Sequence, residues 1–132
     1  MPGYAEKEAK AGLKAKLPAI ETFPNQFPDY EIKIEIPEFT SVCPKTGLPD
    51  FGVINIRYCP KARCLELKSL KDYVLAYRNL GIFYENAVNR ILEDIIKACR
   101  PVWAIVTGEF NPRGGIRSVV EARYPRSRRN RA

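Results

Sequence analysis

The stretch Val88–Cys99, which reads VNRILEDIIKAC, decides the fold class of this chain. Its apolar residues recur at positions i, i+3, i+4, i+7, i+8 and i+11, and they are Val88, Ile91, Leu92, Ile95, Ile96 and Cys99. Such spacing places one continuous apolar stripe along a helix. Pro101 follows and ends the helix, because proline has no backbone N–H to donate. We therefore expect a helix here that buries one face in a core.

The segments on either side of this helix alternate apolar and polar residues, which is typical of half-buried strands. Two such strands precede it and two follow it: Tyr30–Ile36, Phe51–Tyr58, Val102–Phe110 and Ile116–Tyr124. A second helix is predicted over Leu70–Asn79, with Gly81 where a helix C-terminus favours glycine. The order ββααββ predicts an α+β domain, an antiparallel sheet with two helices on one face.

The remaining segments have less regular patterns. Pro37–Pro49 contains three prolines and a glycine, so we expect a long irregular loop there. Cys59–Cys64 is predicted to be a turn, and Cys64–Lys68 either a short strand or the approach to a helix. Tyr4–Leu17 is rich in helix formers but weakly amphipathic, which predicts a marginal helix or a loose arm. We divide the chain into an N-terminal arm (1–22), one folded domain (23–124) and a basic tail (125–132).

The composition limits what this chain can be. At 132 residues, 45% of them hydrophobic, it has the size of one domain and enough apolar material for a core. No apolar run approaches the roughly 18 residues of a membrane span, and the charged N-terminus is unlike a signal peptide, so we expect a cytoplasmic protein without a membrane partner. Histidine is absent, which removes Ser-His and Cys-His triads and the commonest metal ligand. We expect no metal site.

The net charge of +7 favours polyanionic partners such as nucleic acid or phosphorylated cofactors. Five of the positive charges are arginines within the last ten residues, so the rest of the chain is only mildly basic. One hypothesis is therefore a non-catalytic RNA-binding module. Arginine tails of this kind are often simply solvated, and their phosphate binding does not depend on sequence.

Cys43 is the cysteine best placed for chemistry. It lies in a segment rich in proline and glycine, away from any apolar stripe, with Thr46 and Asp50 within seven residues. An exposed thiol near a hydroxyl and a carboxylate can become an activated nucleophile with an acid/base partner. The alternative is an idle loop cysteine, with Asp50 as a turn residue. The four cysteines are too sparse for a disulfide framework, and a zinc site would need closer pairing than Cys59 and Cys64 offer.

Two basic features could bind phosphate. Lys68 and Lys71 lie one helical turn apart, and Arg113 lies on the glycine-rich turn Asn111–Gly115. Each has an ordinary interpretation as well, because short basic clusters are often solvated helix faces and an arginine on such a turn often belongs to a plain hairpin loop.

Three segments carry a resemblance to a known family. Cys43–Phe51 (CPKTGLPDF), Glu66–Tyr73 (ELKSLKDY) and Gly81–Asn86 (GIFYEN) resemble the successive signatures of the QueF family, the NADPH-dependent nitrile reductases of queuosine biosynthesis. The resemblance runs from about Phe23 to Tyr124. It implies the tunnelling fold (T-fold), a ββααββ unit that assembles into rings, and hence a homo-oligomer with active sites between subunits.

The resemblance also implies a reaction and the residues that carry it. The family reduces the nitrile of a small molecule, 7-cyano-7-deazaguanine, to an aminomethyl group with NADPH as cofactor. Cys43 is then the catalytic nucleophile that forms a covalent thioimide, and Asp50 is the catalytic acid/base. The implied substrate-binding residues are Leu65, Glu66, Leu67, Tyr84 and Glu85. The implied cofactor-binding residues are Lys68, Ser69, Lys71 and Arg113.

The chain departs from the family at Tyr84, which stands where the family usually has histidine. A phenol, with an ordinary pKa of about 10, can donate a hydrogen bond but is a poor proton shuttle at neutral pH. A relative of the family, the archaeal QueF-like amidinotransferase, uses the same cysteine adduct on nitrile-bearing tRNA and takes ammonia instead of hydride. That relative lacks the Glu-Leu-Lys-Ser signature present here at Glu66–Ser69, so the resemblance favours the reductase.

Overall fold

The computed structural model describes residues 5–126; residues 1–4 of the predicted arm and 127–132 of the predicted tail lie outside this range. The strands are β1 (Thr22–Pro24), β2 (Ile32–Val42), β3 (Pro49–Cys59), β4 (Arg63–Leu65), β5 (Trp103–Arg113) and β6 (Ile116–Tyr124). The helices are α1 (Glu6–Ala9), α2 (Leu67–Leu75) and α3 (Tyr84–Cys99), with a 3₁₀ turn over Ala76–Asn79. An antiparallel sheet has the strand order β2-β3-β5-β6, and β1 pairs with β4. The predicted α+β class is confirmed.

The core lies between this sheet and the helices α2 and α3. On β3 the inward residues Ile54, Ile56 and Tyr58 are fully buried, and the stripe of α3 packs against the same core. Of the stripe residues, Ile96 alone is only half-buried. Each fully buried aliphatic side chain contributes about 1.5–3 kcal/mol of transfer free energy, so this face specifies how α3 sits. Among residues 5–126, no helix is long and apolar enough to cross a membrane.

The other face of the sheet carries no helix within the described part of the chain. Its side chains on the central strands are exposed or half-buried: Phe51, Val53, Asn55 and Arg57 on β3, and Trp103, Ile105, Thr107 and Glu109 on β5. The guanidinium of Arg57 lies 5.8 Å from the ring centre of Trp103, a cation–π contact. We call this surface the open face.

The prediction of a long irregular loop over Pro37–Pro49 is wrong. Strand β2 continues through Pro37 to Val42 and pairs with the start of β3, with a register shift between Ile36 and Phe39. A bulge on an edge strand tolerates proline, because the missing N–H there has no ladder partner to lose. The irregular part shrinks to the turn between β2 and β3, and Cys43 becomes the first residue after a strand.

The helical segment ends at Asn79, as predicted, but Gly81 is not a left-handed cap; it forms a bridge to Val42 at the end of β2. The left-handed residue that ends a helix is Arg100, with φ 45°, directly after α3 and before Pro101. Around Gly81, the N–H of Val42 donates to the carbonyl of Leu80 (3.0 Å), and the N–H of Ile82 donates to the carbonyl of Val42 (2.9 Å). These bonds fix the approach to α3 beside the end of β2.

In the described part of the N-terminal arm, α1 is a single turn, and the arm is held against the rest of the fold. Asn86 Nδ2 donates to the carbonyl of Ala9 (2.6 Å), and Arg90 Nη1 donates to the carbonyl of Gly12 (2.7 Å). Gly12 has φ 82°, and a Cβ added there would lie 2.7 Å from Cβ of Ile82. The arm therefore packs closely on α3 and on the segment that precedes it, so that only glycine fits at this contact.

Candidate active site

One cavity of about 360 Å³ brings together the residues that the sequence marks for chemistry. It is lined by Cys43, Asp50, Phe83, Tyr84, Glu85, Arg113, Ile116 and Ser118. Cys43 follows β2, Asp50 lies at the start of β3, and Tyr84 and Glu85 form the first turn of α3. Arg113 ends β5. The cavity thus forms where the ends of the strands meet the start of α3.

The Cys43 thiol is held in a tight turn. The N–H of Cys43 donates to the carbonyl of Leu48, and the N–H of Gly47 donates to the carbonyl of Cys43, both at 2.9 Å. Partial burial raises the pKa of the Cys43 thiol, but hydrogen bonds from the Thr46 hydroxyl and from the N–H groups of Thr46 and Lys45 outweigh this effect. The pKa is lowered overall. Since the thiolate is the nucleophilic form, this turn favours reaction at carbon.

Asp50 is a buried carboxylate with two donors on one oxygen. The residue is 5% exposed. Its Oδ1 accepts hydrogen bonds from the Tyr84 hydroxyl (2.9 Å) and from Arg113 Nη1 (2.5 Å). A buried charge is costly unless it is paired and hydrogen-bonded, and Arg113 provides the opposite charge.

Tyr84 is fixed by stacking. Its ring lies parallel to that of Phe110, with centres 3.9 Å apart and 8° between the planes. Phe110 in turn lies on Gly52 and Gly108, where an added Cβ would come within 2.9 Å of the Phe110 ring. Burial, and then the hydrogen bond to Asp50, raise the pKa of Tyr84 to about 12. The phenol therefore stays protonated at neutral pH and acts as a hydrogen-bond donor.

Glu85 offers the cavity an open carboxylate. It is exposed, it lies in the first turn of α3, and its side chain makes no hydrogen bond or salt bridge with residues 5–126. A carboxylate in this position is favoured by the helix dipole. It can also accept hydrogen bonds from the N–H groups of a ligand.

The other predicted residues lie elsewhere on the chain, at β4 and the first turns of α2. They are Leu65, Glu66, Leu67, Lys68, Ser69 and Lys71, and none of them lines the Cys43 cavity. The Glu66 carboxylate caps α2 by accepting from the N–H groups of Ser69 (2.7 Å) and Lys68 (2.9 Å), which lowers its pKa. The Ser69 hydroxyl accepts from the N–H of Glu21 and donates to the carbonyl of Glu66. Lys71 lines a separate groove beside β2.

Arg113 is the one predicted cofactor-binding residue that lies in the Cys43 cavity, and there it pairs with Asp50. Sequence reasoning missed this pair and the stack of Tyr84 on Phe110. The glycine-rich turn marked Arg113 as an anion site, but its partner depends on the register that sets Gly52 opposite Phe110. Within residues 5–126, no cluster of acidic, cysteine or histidine side chains could hold a metal ion.

An antiparallel sheet with helices on one face, and a lowered-pKa thiol beside a buried carboxylate at its end, define a T-fold protein with a cysteine-centred site. The chain belongs to the QueF-like protein family, whose family model matches residues 49–129.

Relatives and a solved structure agree with this membership. The chain is 62% identical to the NADPH-dependent 7-cyano-7-deazaguanine reductase of Elusimicrobium minutum, over 92% of this chain and 93% of the relative. It is 57% identical to the enzyme of that name from Chlorobaculum tepidum, over 83% and 95%. A crystal structure of the archaeosine synthase QueF-Like in its apo form is similar, with a TM-score of 0.66 and 25% identity, over 70% of this chain and 91% of that one.

Proposed function

We propose that this protein reduces the nitrile of 7-cyano-7-deazaguanine to an aminomethyl group with NADPH, in queuosine biosynthesis. Relatives that are 53–62% identical carry the name of this reductase. The observation that carries the proposal is the Cys43 cavity, where a thiol of lowered pKa, a buried carboxylate and an open carboxylate face the same space. These three groups suit nucleophilic attack, proton transfer and recognition of the base, respectively.

Cys43 begins the reaction. A free nitrile is a poor hydride acceptor, whereas a thioimide is a good one. The thiolate forms an S–C bond to the nitrile carbon, the carbon–nitrogen triple bond becomes a double bond, and the nitrogen takes one proton. The proton comes through Asp50, so that S–H adds across the nitrile with no other reactant.

NADPH held by Lys68 and Lys71 would supply hydride to the same carbon, once in each of two rounds. After the first hydride, Asp50, reprotonated from solvent, gives a proton to the nitrogen, and it takes one back as the Cys43 thiolate leaves and the imine forms. After the second hydride, the imine nitrogen takes one more proton and becomes the amine. Asp50 thus alternates between acid and base, a role in which a positioned group contributes about 10²–10⁴-fold to rate.

Glu85 is proposed to recognise the deazaguanine. Its open carboxylate can accept hydrogen bonds from the N–H edge of the base, and such charge-assisted bonds are strong. Glu66 and its neighbours Leu65 and Leu67 are proposed to complete the base pocket, and Tyr84 to close it on the side of Asp50.

The start of α2 fits the phosphates of NADPH. Lys68 and Lys71 are exposed there, and within residues 5–126 neither ammonium group is in a salt bridge. Two ammonium groups one helical turn apart suit a phosphate. Ser69 is proposed to support this site by tying the helix start to Glu21 through its hydroxyl.

The proposed site takes residues from two copies of the chain. Within one copy, Lys71 lines a groove other than the Cys43 cavity. We propose a homo-oligomeric ring in which α2 of one subunit meets the Cys43 cavity of the next. The outer strands of the sheet support this, because in the described structure β6 is unpaired on one side and β2 is paired there only at Val42, with Gly81. Exposed apolar residues accompany them, with Ile116 74% and Leu67 61% exposed.

Amidinotransfer to nitrile-bearing tRNA is the second candidate, because the similar crystal structure is that of an archaeosine synthase. The reductase is favoured by the higher identity of the relatives that bear its name.

The experiment is to mix the protein first with the nitrile base alone and then with NADPH. We expect an ultraviolet band from the thioimide at the first step and consumption of two NADPH per nitrile at the second. No NADPH consumption, together with ammonia-dependent loss of nitrile from tRNA, would reverse the choice.

A further inference from the structure

We infer that Tyr84 and Arg113 are positioning residues that hold Asp50 by its oxygen Oδ1 and leave Oδ2 to exchange protons with the substrate nitrogen. This inference rests on the proposed function. It gives both residues a role other than the substrate contact and the cofactor contact that the sequence suggests for them.

The hydrogen bonds of Asp50 are one-sided. Both donors, the Tyr84 hydroxyl and Arg113 Nη1, reach Oδ1, and Oδ2 accepts no hydrogen bond from residues 5–126. Oδ2 is not fully buried either. Among the described residues, the fully buried side-chain polar atom that lacks a hydrogen-bond partner is Ser41 Oγ. One carboxylate oxygen is therefore anchored and the other has no protein partner, and Asp50 lines the cavity that holds Cys43.

Both donors are themselves held in place. The Tyr84 ring is stacked on Phe110, so its hydroxyl has little freedom to leave Asp50. Arg113 follows a register shift in β5 that begins after Phe110. A bulge of this kind redirects a side chain at a strand end. The side chain of Arg113 stays 40% exposed, but that of Asp50 is only 6% exposed, so the pair forms at the wall of the cavity rather than in open solvent.

The hydrogen bond to Asp50 also keeps Tyr84 out of the proton-transfer chain. A phenol that donates to a carboxylate, with its pKa raised to about 12, does not give up its proton near neutral pH. The chain has no histidine that could relay protons instead. Proton transfer is left to Asp50, and its geometry is set by Tyr84 and Arg113.

The test compares adduct formation with reduction in Tyr84→Phe, Arg113→Ala and Arg113→Lys. Tyr84→Phe keeps the ring on Phe110 and removes only the donor. We expect the thioimide band to reach wild-type amplitude, while kcat falls about ten-fold, as for the loss of one hydrogen bond to a charged group. Arg113→Ala should lower kcat further with an unchanged KM for NADPH. Arg113→Lys should restore part of the lost kcat. A raised KM with unchanged kcat would instead make Arg113 a phosphate ligand and overturn the inference.

A double-mutant cycle with Asp50→Asn is decisive. If Tyr84 acts through Asp50, Tyr84→Phe costs almost nothing further in the Asp50→Asn background; if it acts on the substrate directly, the two losses multiply and the inference fails. Arg117→Ala, which breaks an exposed ion pair with Glu109 near the same hairpin, and Tyr30→Phe, at an exposed hydroxyl, are the matched controls. A wild-type protein that consumes no NADPH would instead refute the proposed function, and that result is separate from these.

Discussion

Cys43 differs from the other cysteines in both access and acidity. Cys59, Cys64 and Cys99 are at most 8% exposed, whereas Cys43 is half-buried at the cavity. Burial raises the pKa of Cys99 to about 11, while the turn around Cys43 lowers that of Cys43. The fold therefore sets one thiol apart for reaction.

We predict that an alkylating reagent modifies Cys43 before the other cysteines, and that the nitrile base protects it. The rate should rise with pH through a midpoint below that of a free thiol, because a lowered pKa leaves more thiolate at neutral pH. Thr46→Val removes one of the donors, so the midpoint should move to higher pH and labelling at neutral pH should slow. Mass spectrometry of timed samples measures this, and Cys43→Ala, which should take up no label at early times, is the control. Equal labelling of Cys59 would contradict the prediction.

At the level of elements, the contact of the N-terminal arm with α3 can be tested at Gly12. Gly12→Ala should destabilise the fold in two ways, through the left-handed backbone and through the collision of its Cβ with Ile82. Gly115→Ala is the matched control, since φ is 81° there and nothing lies within 4 Å of the added Cβ. We expect Gly12→Ala to cost about 1–3 kcal/mol more than Gly115→Ala, the usual range for overpacking. Urea unfolding measures both, and equal costs would mean that the arm does not pack on Ile82.

The periodic elements were predictable from the sequence, because the stripe of α3 and the alternation in the strands follow from local spacing. The course of β2 through Pro37 was not, since a strand tolerates proline only at a sheet edge or a bulge, and the strand order is set by the whole chain. The role of Gly81 was missed for a similar reason: its partner, Val42, is distant in sequence.

The candidate site was predictable in part. Cys43, Asp50, Tyr84 and Glu85 were picked out by the sequence, and the structure brings them to one cavity. The pairing of Arg113 with Asp50 depends on how the end of β5 bulges, which no local pattern encodes. The Glu66 carboxylate caps α2 through local contacts. The position of Glu66 directly before α2 could therefore have indicated this role.

At the scale of the whole molecule, the site shared between subunits can be tested by complementation. We predict that Cys43→Ala chains and chains carrying Lys68→Ala and Lys71→Ala, each inactive alone at low NADPH, regain activity when they are refolded together. Random assembly should give about one quarter of wild-type activity. A site is intact only when its cysteine comes from the lysine variant and its lysines come from the cysteine variant. Steady-state NADPH consumption and the mass of the assembly in solution are the measurements.

The control for this experiment is a mixture of Cys43→Ala and Asp50→Asn chains. Both residues line the same cavity of one subunit, so no arrangement of these chains makes an intact site, and the mixture should stay inactive. Recovery in the control, or no recovery in the first mixture, would mean that the site is not divided between subunits in this way.

The open face of the sheet has a practical consequence, because it carries Trp103, the single tryptophan of the chain. Its indole lies beside the guanidinium of Arg57 and outside the Cys43 cavity. Indole emission responds to water and to nearby charge, so the fluorescence of the unlabelled protein reports on the open face and not on the chemistry. Emission colour would then report on what covers the open face, and anisotropy in a dilution series would follow assembly through the tumbling of the whole particle, while absorbance of the thioimide follows the reaction in the same cuvette.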